Sequence, residues 1–75
     1  MQPADDQWIR DARRAIGDRV RVQRMHLDLT QERLAELTGI DRSTVQRIEY
    51  GGEAKISHLL LIARELRVHV SHLLS

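Results

Sequence analysis

The chain has no cysteine, a single proline and only two aromatic residues, Trp8 and Tyr50. Without cysteine, neither a disulfide framework nor a thiolate metal site can form. The proline is Pro3, and no internal repeat, low-complexity tract or linker divides the sequence. Long hydrophobic runs are missing as well. The longest, residues 59–63, falls far short of the roughly 20 residues that cross a bilayer. Residues 1–15 carry Asp5, Asp6, Arg10, Asp11, Arg13 and Arg14 and no apolar stretch of the kind a secretory leader needs. A soluble, cytoplasmic protein is the expectation. An excess of charge of one sign is also absent: 12 Lys plus Arg oppose 11 Asp plus Glu, for a net +1. Bulk charge therefore selects no partner, and the distribution of charge has to carry that argument.

What remains is one small globular unit. Seventy-five residues with 41% hydrophobic content suffice for a single core. A domain of this size buries only about 60 to 65% of its unfolded surface, so close helix packing or pairing with a second copy is expected. Eleven of the 12 basic residues are arginine, the single lysine being Lys55. Arginine suits bidentate contacts to phosphate or guanine, although GC-rich codon usage yields the same bias.

The apolar periodicity predicts five helices and no strand, an all-α domain over residues 6–75 behind a disordered N-terminus at residues 1–5. Helix 1 is expected from about Asp6 to His26, with Trp8 or Ile9, Ala12, Ile16, Val20 and Leu27 at helical spacing. Gly17 interrupts it at a cost of about 1 kcal/mol relative to alanine. Thr30 caps helix 2 and Glu32 suits its first turn, Leu34, Ala35 and Thr38 face inward, and Gly39 is the left-handed stop. Asp41 or Ser43 caps helix 3, which ends near Tyr50 ahead of Gly51 and Gly52. Ser57 is the expected cap of helix 4, with its stripe of Leu59, Ile62, Ala63 and Leu66, and Ser71 that of a short last helix ending in Leu73 and Leu74.

Helix 3 has an unusual face. Val45 and Ile48 lie three apart and point to the core, which leaves Arg42, Ser43, Gln46, Arg47 and Tyr50 together on the other side. That set contains no carboxylate to repel phosphate. Arg pairs with guanine O6 and N7, Gln with adenine N6 and N7, and Ser with either. An isolated amphipathic helix with such a face is more often merely solvated, but this one follows a short helix and a turn glycine.

Gln31, Ala35, Gly39, Ile40, Val45, Ile48, Glu49 and Gly51 stand where the lambda-repressor/Cro (XRE-like) family of helix-turn-helix DNA-binding proteins places a Gln, a small crossing residue, the turn glycine and three buried apolar residues, then Glu and Gly. The resemblance extends from about Ile16 to Leu74, and the run from Leu59 resembles the family's fourth and fifth helices. It implies a compact five-helix domain with the helix-turn-helix at helices 2 and 3, and a recognition helix at about residues 41–50 in the major groove. By the same resemblance, Arg42, Ser43 and Arg47 match positions that reach base edges, and Thr44 and Gln46 match positions that touch a base or a nearby phosphate. Gln31 looks like a phosphate-gripping residue, and Arg24 and Glu49 match an inter-helix ion pair whose arginine also faces the DNA backbone. Lys55 is the expected basic contact of the loop after helix 3, with Tyr50 beside it. Four positions depart from the pattern. Asp28 replaces a common glycine, Gln23 replaces an apolar residue, and Glu53 and Ala54 stand where basic contacts are usual.

Other chemistry is weakly signalled. His26, His58, His69 and His72 lack accompanying carboxylates or cysteines, so solvated histidines are expected rather than a metal site. Glu32 and Glu36 share a helix face but have no pocket or nucleophile, so no enzyme is expected. Trp8 is expected to pack on its own core, a dimer contact being the alternative. Double-stranded DNA is the expected partner, bound by a homodimer without cofactor, membrane or small-molecule ligand. The competing reading is a protein-interaction module that reuses the fold without specific DNA contact.

Overall fold

A computed structural model describes residues 6–75, and the expected disorder of residues 1–5 lies outside them. Five helices follow one another: α1 (Gln7–His26), α2 (Gln31–Thr38), α3 (Arg42–Glu49), α4 (Ile56–Glu65) and α5 (Val70–Leu74). There is no strand among the described residues.

The local signals explain most of the boundaries. Thr30 Oγ1 accepts from the Arg33 N–H at 2.9 Å, which satisfies one of the donors left over at the start of α2. Gly39 ends that helix at φ +75, and its N–H donates to the Ala35 carbonyl. Thr38, buried beside it, donates to the Leu34 carbonyl at 2.8 Å and accepts from the Ile40 N–H at 3.2 Å. The turn between α2 and α3 is thereby pinned from both sides. Asp28 adopts φ 58 between α1 and α2, a conformation that Asp tolerates better than most residues.

Three caps differ from expectation. Asp41 occupies the N-cap of α3, but its side chain makes no capping bond. Helix α4 begins at Ile56 behind Lys55, and α5 at Val70 behind His69, so Ser57 and Ser71 lie inside the first turns instead of ahead of them. In α4 the ladder already starts with the Leu59 N–H on the Lys55 carbonyl at 3.1 Å. Burial of Leu59 and Ile62 on the core sets where this helix starts, and the weaker serine preference yields to it.

The core joins all five helices through Val20, Leu34, Ala35, Ile40, Val45, Ile48, Leu59, Ile62, Ala63, Leu66 and Leu73. Each of the larger side chains contributes roughly 1.5 to 3 kcal/mol by leaving water. Gln23, in place of an apolar residue, donates from Nε2 to the Leu66 carbonyl at 3.1 Å and so ties α1 to the end of α4. The apolar repeat of α1 meets the core only from Ile16 onward. Ala12 is exposed, and Trp8 is 69% exposed. The expectation that Trp8 packs on its own core is therefore corrected: its side of the first turn of α1 faces away from the elements that would cover it.

Gly17 does not interrupt α1. It is buried where α1 crosses α3, and a Cβ there would sit 2.7 Å from the Glu49 carbonyl oxygen and closer still to that of Ile48. The glycine lets two helix backbones touch, and the helix propensity it forgoes is the lesser effect.

Candidate nucleic-acid interface

The core fixes the rotation of α3. Val45 and Ile48 are 0% and 1% exposed, and Glu49, also on the inner side, is 4% exposed. The opposite face turns out Arg42, Ser43 and Arg47, with Thr44 and Gln46 half-buried at its edges. Tyr50 follows at the C-terminal end and is 81% exposed. The residues expected to reach bases thus share one surface of one helix. The acid of the same helix is on the other side.

Glu49 is the hub of a buried polar cluster. Arg24 of α1 makes a two-pronged bond to it, Nε to Oε2 at 2.7 Å and Nη2 to Oε1 at 3.0 Å, and its Nη1 donates to the Leu29 carbonyl at 2.8 Å. Gln31, the first residue of α2, donates from Nε2 to Glu49 Oε1 at 3.0 Å. Charge-assisted, two-pronged geometry of this kind is the strong form of hydrogen bond. One carboxylate therefore ties α1, α2 and α3 together. The ion pair expected between Arg24 and Glu49 is present, and Gln31 joins it. Arg24 Nη1, Arg24 Nη2 and Gln31 Nε2 each carry a second N–H beyond those bonds.

The loop between α3 and α4 borders this outward face of α3. Arg47 folds over Gly52, whose position has no room for a side chain because the Arg47 carbonyl would lie 3.0 Å from a Cβ and Arg47 Cγ nearer still. The Gly52 N–H donates to that carbonyl at 2.8 Å. Gly52 thus sets the path of the Arg47 side chain, and no signal in the sequence marked that contact. Lys55 is exposed at the far end of the loop. From the other side, Arg13 of α1 donates from Nε to the Gly51 carbonyl at 3.2 Å. Nothing in the sequence pattern pointed to that contact, which joins residues 38 apart.

Other candidate chemistry finds no assembled site. No group of three or more His, Cys, Asp or Glu side chains able to hold a metal occurs among the described residues. His69 Nδ1 lies 3.3 Å from Ser71 Oγ, and His58 Nδ1 is buried without a hydrogen-bond partner among the described residues. Among the described residues no helix is long and apolar enough to cross a membrane.

Two helices joined by a glycine turn, the second offering arginine, serine and glutamine outward and its only acid inward, define a helix-turn-helix DNA-binding domain. A family model described as helix-turn-helix matches residues 20–73. The chain belongs to this family, in its lambda-repressor/Cro (XRE) branch of DNA-binding transcription regulators. Among solved structures it is similar to the restriction-modification controller protein C.AhdI from Aeromonas hydrophila, with 34% identity, a TM-score of 0.78 and coverage of 81% of this chain and 94% of that one. A comparison with curated proteins finds no match.

Proposed function

We propose that the chain is a sequence-specific regulator that binds a two-fold-related operator as a homodimer, each copy laying α3 in the major groove. The observation that carries this reading is the partition of α3: Arg42, Ser43 and Arg47 exposed together, and Glu49 withdrawn to 4% exposure. Arg42 and Arg47 suit guanine edges and Gln46 suits adenine, with Ser43 and Thr44 as adaptable donors or acceptors. Lys55 and Tyr50, at the loop end of the helix, are assigned to phosphates, as are Arg24 and Gln31 through the N–H groups that their bonds to Glu49 leave over. The likeness to a restriction-modification controller supports regulation of transcription over a purely protein-binding role. For the second copy, α4 leaves Ile56 and Leu60 at 63% and 50% exposure and α5 leaves Leu74 at 46%, apolar side chains on two helices outside the reading face. A two-fold axis there sets half-sites about one turn of DNA apart.

Selection of bound genomic fragments, followed by titration at several salt concentrations, tests the reading. A two-fold-related motif and a negative slope of log K on log salt are expected. Arg47→Ala should relax the preference at one base position by about 1 to 3 kcal/mol, whereas Lys55→Ala should weaken all sequences alike and lower the salt slope by about 1. If the Arg42→Ala/Arg47→Ala double variant held the selected site as tightly as wild type, α3 would not be the recognition helix. In sedimentation, Leu60→Glu is expected to shift a wild-type dimer toward monomer, and an unchanged dimer would remove Leu60 from the interface.

A further inference from the structure

The first turns of α1 precede residues 20–73, the part that the family model matches, yet they are fastened to the loop beside the recognition helix. Arg13 makes the fastening. Its Nε donates to the Gly51 carbonyl at 3.2 Å, and its Nη1 lies 3.9 Å from Glu53 Oε2. Backbone packing supports the same junction: Gly51 stands at φ +94, and a Cβ on it would lie 3.3 Å from Arg14 Cα. Arg13, Arg47, Glu53 and Lys55 line one open cleft of about 800 Å³ between α1 and the loop.

Glu53 is the acid among these four charges, and its side chain is 89% exposed. It lies two residues from Lys55, on the loop that borders the reading face. A bare carboxylate there repels any phosphate within a Debye length of about 10 Å. Exposed ion pairs at such distances add little to folding stability, about 0 to 1 kcal/mol. The contact between Arg13 and Glu53 therefore has small structural value and large electrostatic reach.

We propose that Arg13 is a positioning residue for DNA binding: it holds the Gly51 carbonyl, and with it the loop, while its guanidinium screens Glu53 from the phosphates that the loop approaches. The inference rests on the DNA-binding reading above. It assigns the helical extension before the matched family region a task in backbone affinity, separate from base choice on α3.

The test is a set of titrations with two probes, a mixed-sequence duplex and a fragment recovered by selection, at several salt concentrations. Arg13→Ala is expected to weaken both probes alike, about three- to tenfold at low salt and less as salt rises. Glu53→Gln is expected to tighten both about two- to fivefold, and Arg13→Ala made on that background should lose less than it does on wild type, the remaining loss being that of the hold on the Gly51 carbonyl. Arg13→Lys, which keeps the charge, should fall between wild type and Arg13→Ala. The thermal midpoint of Glu53→Gln should stay within a few degrees of wild type. Wild-type affinity in Arg13→Ala, a loss confined to the selected fragment, or a loss that Glu53→Gln does not relieve would each overturn the proposal while leaving DNA binding intact. Should Arg13→Ala fail to fold, Glu53→Gln alone still decides the sign of the effect of Glu53, and unchanged or weaker binding overturns the screening. A wild-type chain that binds neither duplex overturns both readings at once.

Discussion

Replacing Gly17 by alanine pits two effects of opposite sign against each other, and the structure decides between them. In an isolated helix the change is favourable by about 1 kcal/mol, because glycine loses more backbone freedom on folding. In this fold the added methyl has nowhere to go. It would stand 2.7 Å from the Glu49 carbonyl oxygen and 2.9 Å from its carbon, with the Ile48 oxygen closer, where ordinary contact begins near 3.4 Å. The opposing atoms are helix backbone and cannot rotate aside, so α1 must retreat from α3 by several tenths of an ångström. Overpacking of this kind costs about 1 to 3 kcal/mol. The retreat also stretches the bonds of 2.7 and 3.0 Å by which Arg24 holds Glu49, which puts the cost at the upper end of that range.

The net expectation for Gly17→Ala is a loss of about 2 kcal/mol, or a fall in melting midpoint of about 8 to 16 °C for a domain of this size. Far-UV circular dichroism during heating, with urea unfolding for the free energy, measures it. Gly39→Ala is the companion: nothing lies within 4 Å of its missing Cβ, and φ is +75. It pays only the left-handed strain of about 1 kcal/mol. A Gly17→Ala protein that melts at or above wild type would refute the close crossing of α1 and α3 and restore the simple propensity argument.

The remaining predictions concern buried polar groups. Arg24→Met leaves Glu49, whose side chain is 3% exposed, with only Gln31 as a partner, and should cost about 3 to 5 kcal/mol in urea unfolding. Adding Glu49→Leu to it should recover a large part of that loss, and simple additivity of the two single changes would argue against an energetic pair. His58→Leu removes a buried nitrogen with no partner among the described residues and should raise stability by about 1 kcal/mol, seen as a midpoint higher by about 4 to 8 °C. An unchanged or lower midpoint would mean that His58 is satisfied in solution.

How much of this was legible in the sequence follows from how far apart the interacting groups are along the chain. The cap at Thr30, the stop at Gly39 and the inward stripes of α2, α3 and α4 depend on residues within one or two turns of each other, and the structure agrees with each. Signals of the same short range misplaced the starts of α4 and α5, because a serine preference of about 1 kcal/mol is easily outweighed by where a whole helix buries its apolar side. Gly17 was legible as a glycine but not as a contact, since its neighbours are Ile48 and Glu49. The same holds for Arg13 and Gly51, and for Gly52 under Arg47, where no periodicity marks the need. Trp8 shows the converse. Its spacing continued the apolar repeat of α1, but no element of the described chain lies opposite it.

Glu49 links the two kinds of information. Its position four residues after Val45 places it on the core side of α3 from the sequence alone, and a lone acid on a core face requires partners. Only the fold supplies them, Arg24 from 25 residues away and Gln31 from 18. Once paired, the carboxylate serves stability and function through the same bonds. It locks three helices, and its burial removes the one negative charge of α3 from the surface that carries Arg42 and Arg47. Exchanging Glu49 with Tyr50, whose position is 81% exposed, would keep the composition unchanged and lose both effects.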